Sequence, residues 1–97
     1  MAILDDAKLA LRITATAFDS EISDLISYAQ EDLVVAGVTR TKMDAFVLDP
    51  DSDYLIKRAV ITYVKAEFGW SNPDQDAFRG SYNIQKIRIT LLDDYIS

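Results

Sequence analysis

The carboxylates of this sequence come in groups: Asp5 with Asp6, Asp49 with Asp51 and Asp53, Asp74 with Asp76, and Asp93 with Asp94. Paired carboxylates run general acid–base chemistry when their surroundings split their pKa values. They hold magnesium or calcium when several oxygens converge. The stretch DPDSDY, residues 49–54, sets acids at alternate positions as a calcium loop begins, but no Gly and closing Glu complete it. Each group also falls at an expected helix end or turn, where capping and the helix dipole account for it. The chain has no His and no Cys, which removes the usual neutral-pH acid–base group, a hydrolase triad, thiolate chemistry and disulfides. Gly37, Gly69 and Gly80 lie too far apart to cradle a phosphate. No catalytic residue, cofactor or metal is expected.

At 97 residues, 49% of them hydrophobic, the chain suits a single domain over 1–97 with a real core. A domain this small is marginal alone, and partners would supply further burial. The formal charge of −6 is spread along the chain, with no basic cluster to neutralise phosphates, so sequence-specific DNA binding is disfavoured. The opening MAILDDAKLALR has acids where a secretory signal has bases, and no apolar run is long enough for a bilayer. The expectation is a soluble protein made in the cytoplasm, with no membrane partner.

The elements read as an all-α bundle of three medium or long helices behind a short first one. Residues 3–11 form the short helix, with Asp5 and Asp6 in its opening turns. Residues 19–36 carry Ile22, Leu25, Ile26, Ala29 and Leu33 at spacings of three and four. Asp19 or Ser20 is the expected cap, Phe18 a staple onto the same helix, and Gly37 the terminator. Residues 38–50 stay open between an ordered loop, a short helical turn and one arm of a two-stranded element, with a loop as the working expectation. Residues 53–68 make two adjacent apolar tracks, one of Leu55, Ala59, Thr62 or Tyr63, and Ala66, the other of Ile56, Val60, Val64 and Phe68, a breadth that suits a central helix. Asp53–Lys57 is an available i,i+4 pair. Residues 74–96 read as a last helix weakened at Gly80-Ser81, and IQKIRITLL also alternates like a strand, so residues 84–92 stay open between helix and strand.

The candidate interaction residues are Met43, Phe46, Val47 and Leu48, in an apolar stretch of the 38–50 segment that the core does not obviously demand, with Trp70, Tyr82 and Tyr95, each of which reads either as a partly buried core residue or as an interface anchor.

The order LALRIT, FDSEISDLISYAQEDLVVAG, a variable loop, DYLIKRAVITYVKAEFGW, a turn at Pro73 and a helix opening near Asp76-Ala77-Phe78 resembles the small head–tail connector proteins of tailed bacteriophages. These are the head-completion or DNA-packaging adaptors. The resemblance covers nearly the whole chain and rests on the order of Leu9-Arg12-Ile13, Asp19 with Ile22, Leu25-Ile26 and Ala29, Ala59-Ile61, and Tyr82. It implies an all-helical, non-enzymatic adaptor in the virion that forms a homo-oligomeric ring of about a dozen subunits. Such a ring sits between the portal protein and a tail or head-completion protein. DNA passes nearby without sequence-specific contact. Residues 38–50 and roughly 84–97 would then meet neighbours. The strand-like 84–92 departs from that pattern. The alternative class is a small acidic regulator or inhibitor that docks on a basic partner as a monomer or dimer.

Overall fold

A computed structural model describes residues 3–69 and 73–96. The order is α1 (Ile3–Leu11), α2 (Asp19–Ala36), α3 (Arg40–Leu48), a 3-10 turn (Pro50–Ser52), α4 (Tyr54–Glu67), α5 (Gln75–Thr90) and α6 (Asp93–Ile96). Among the described residues there is no strand. The all-α expectation therefore holds as a bundle of several helices.

Backbone chemistry sets the helix ends. Arg12 adopts φ 59°, its N–H bonds Leu9 O at 3.1 Å, and the Ile13 N–H reaches back to Lys8 O at 2.9 Å. This Schellman pattern normally employs glycine. Gly37, φ 136°, closes α2 in the same way, with the Val38 N–H on Leu33 O at 3.0 Å. The expected α2 cap is not formed. Phe18 occupies the cap position, and Asp19 instead pairs with Lys8 at 2.7 Å. The Phe18 ring meets Phe68 edge-on at 5.6 Å, which ties the start of α2 to the end of α4.

Two sequence expectations are corrected. Residues 38–50 are not a loop, since Arg40–Leu48 is a helix. Thr39 caps it by accepting the Lys42 N–H at 3.2 Å, and Met43 and Phe46, three apart, bury on its inner side. Nor is 84–92 strand-like, because α5 runs unbroken from Gln75 through Gly80 to Thr90. The Asp53–Lys57 pair gives way to capping. Asp53 accepts the Ile56 N–H at 3.1 Å and the Tyr95 hydroxyl at 3.2 Å, while Lys57 turns to Asp51 and Asp6.

The core gathers on α4. Ile56, Ala59, Val60 and Val64 bury against Ile22, Ile26, Ala29 and Leu33 of α2, with Phe46, Tyr82 and Ile89 closing the cluster. This confirms α4 as central, flanked by α1, α2 and α5. Of its two tracks, Ile56, Val60 and Val64 are fully buried with Phe68 partly so, whereas Leu55 of the other lies on the surface. The molecule measures 38 × 28 × 17 Å, and 17 Å is the thickness of two helix layers. A two-layer slab leaves each flanking helix with an outer face.

Candidate interaction face

Three of the four carboxylate groups contribute side chains with a structural role. Asp6, buried in α1, pairs with Lys57 at 2.8 Å, and Asp51 takes the same ammonium at 2.7 Å. The two carboxylates hold Lys57 protonated well beyond its ordinary range, Asp51 more strongly than Asp6. Asp53 caps α4, and Asp93 and Asp94 open α6. Among the described residues no three His, Cys, Asp or Glu side chains converge to hold a metal.

The charges are segregated by helix, although each half of the chain is acidic overall. α2 carries five acids and no base. α4 and α5 carry three bases and one acid each, so six of the ten bases lie on these two helices. Most are engaged. Arg79 grips Glu67 through two bonds of 3.0 Å, joining α5 to α4. Lys86 reaches Asp32 at 3.1 Å, and Lys65 lies over the Phe78 ring at 5.1 Å. Arg58 and Arg88 have no carboxylate partner among the described residues.

These two arginines edge a groove of about 260 Å³ between α4 and α5, whose apolar walls are Leu55, Ile84, Ile89 and Leu92. A second groove of about 490 Å³, lined by Lys57, Ile61, Lys65 and Phe78, shares Arg58, Ser81 and Gln85 with it. Ile84, Ile87 and Leu91 recur at three and four residues along α5, on a side no other described element covers, and are 53%, 57% and 73% exposed. The opposite side of α5 buries Tyr82 and Ile89. The alternation that read as a strand is thus a helix apolar on two sides, which fits neither a single 3.6-residue stripe nor a clean period of two.

A polar lock sets the angle of α5 against α2. The Tyr82 hydroxyl donates to Asp32 Oδ2 at 2.6 Å, beside Lys86, and its ring packs edge-on against Tyr63 at 5.2 Å. Burial and the Asp32 charge push the Tyr82 hydroxyl far above its ordinary range. Burial works to raise the Asp32 carboxyl, but the Tyr82 and Lys86 hydrogen bonds outweigh it and hold the group below the usual aspartate range.

The sequence candidates do not form one site. Met43, Phe46 and Tyr82 are buried within the chain, so they are core residues of the subunit and offer no surface contact in this fold. Tyr95 is half-buried, with Lys42 over its ring and its hydroxyl on Asp53. Val47 and Leu48 are exposed on the outer side of α3. Trp70 lies outside the described residues. The α5 stripe was missed because residues 84–92 stayed open between helix and strand; the surplus of apolar positions over one helical face was its signal.

The described residues thus form an all-helical slab with an exposed apolar helix face and charge polarised between helices. Over residues 3–95 the chain matches the family model described as phage connector protein, and it belongs to that family. It therefore has the general structural role of a phage connector. No curated protein and no solved structure matches it. Among the described residues no helix is long and apolar enough to cross a membrane.

Proposed function

We propose that the chain is a structural adaptor subunit of the phage virion. It oligomerises into a ring that joins the portal at the capsid vertex to the tail or to the next completion protein, around the DNA channel. The observation that carries this reading is the uncovered α5 stripe of Ile84, Ile87 and Leu91, set against family membership. A helix apolar on two sides needs two coverings, and the described residues supply one. Cyclic assembly requires two different patches per subunit, one meeting the other on the next copy, and helices of opposite charge provide different patches. Sixteen acids against ten bases leave the subunit repelling phosphates overall, as suits a passage through which DNA slides.

Native mass measurement and negative-stain imaging, on the protein alone and with the portal protein, test the reading. A closed ring in either preparation is the expected result. A monomer in both overturns it.

A further inference from the structure

Resting on that reading, we infer which surfaces meet: the outer face of α2 of one copy seats on the α5 stripe and the Arg58–Arg88 groove of the next. The argument begins with what each face lacks. The groove side presents two arginines without carboxylate partners among the described residues, around an apolar strip. A cation beside exposed apolar surface calls for an occupant that is apolar at its centre and acidic at its edge.

The chain holds such a face. Glu21, Asp24, Tyr28, Glu31 and Val35 follow one another on α2 at three and four residues, a single line along the helix, and all are exposed. The buried residues Ile22, Ile26, Ala29 and Leu33 lie on the other side, so this line points away from the core. Glu31 is occupied by Arg40 at 2.8 Å, which fastens α3 to α2. Glu21 and Asp24 have no ion-pair or hydrogen-bond partner among the described residues. Tyr28 and Val35 stand seven residues apart, and so do Ile84 and Leu91. Both spans are about 10 Å on a helix, so the two apolar pairs match in length.

The occupant is therefore a second copy. The acids unpaired on one face and the bases unpaired on the other belong to the same chain, as a head-to-tail contact requires. Pairing α5 with α5 would bring Arg88 against Arg88, and pairing α2 with α2 would set acids against acids. Both are repelled where the head-to-tail arrangement is attracted.

The chain has no Cys, so introduced thiols are the only ones present. Tyr28→Cys and Ile84→Cys chains are purified separately, mixed and oxidised. The expected product is the disulfide-linked mixed dimer in excess over either homodimer. Charge reversal supplies the second arm. Arg58→Glu with Arg88→Glu weakens association about tenfold or more, and Glu21→Lys with Asp24→Lys on the partner copy restores it. Circular dichroism shows both double variants folded, since every changed side chain is exposed. Rings that form without the mixed cross-link and without charge-reversal rescue overturn this contact and leave the ring intact. Predominant Ile84→Cys homodimers also overturn it, in favour of an α5–α5 pair. Neither cross-link nor assembly overturns both readings.

Discussion

Replacing Tyr82 with Phe removes one oxygen from the lock between α5 and α2 and leaves the ring in place. The hydroxyl sits 2.6 Å from Asp32 Oδ2. A hydrogen bond to a charged group contributes about 1.5–3 kcal/mol. The Asp32 side chain is 40% exposed and keeps Lys86 at 3.1 Å, so water and the ammonium replace part of what is lost. A destabilisation of about 1–1.5 kcal/mol follows after that discount. Packing against Tyr63 at 5.2 Å persists, so no cavity term is added. In a domain of this size the melting temperature falls by about 4–8 °C per kcal/mol. Urea titrations followed by helical circular dichroism measure the change. The pH dependence adds a second check. Because the folded Asp32 carboxyl titrates below its unfolded value, its contribution is complete above about pH 4 and fades as the pH falls through the folded pKa. The gap between parent and Tyr82→Phe should therefore close in acid. Tyr82 runs the other way. Its raised folded pKa makes the parent lose stability as the pH climbs above about 10, and the Phe variant lacks that component. Equal urea midpoints at neutral pH, or a gap unchanged in acid, would refute the account of the lock.

Two further substitutions probe the fold. Phe46 has no exposed surface, so Phe46→Ala should cost about 3–5 kcal/mol and lower the urea midpoint sharply. A variant that keeps its midpoint yet fails to assemble would return Phe46 to the interface. Gly80 lies within α5, and a methyl group there meets nothing within 4 Å. Gly80→Ala should accordingly stabilise the protein by about 0.5–1 kcal/mol in the same titration, and a lower midpoint would contradict it.

The apolar spacing of residues 19–36 and the stop at Gly37 are local features, and each names its element without help from the rest of the chain. α3 was as local, with a Thr39 cap and a Met43–Phe46 pair, but nine residues are too few for spacing alone to tell a helix from a loop. The absence of His and Cys is equally a property of composition, and it narrows the chemistry before any fold is known.

What tertiary structure decided is which apolar residues go inside. Sequence assigns Phe46 and Ile87 the same hydrophobic character. Only the packing around α4 buries the first and leaves the second on the surface. Charge follows the same logic. The acidic stretch of α2 and the basic stretches of α4 and α5 are already separate in the sequence, but only the fold decides which of their charges pair, as Asp32 does with Lys86, and which stay exposed without a partner among the described residues, as Arg58 and Arg88 do. Residue types and spacing are short-range information and determine helices and missing chemistry. A docking face is made of what the core leaves uncovered, and that exists only once the core has formed.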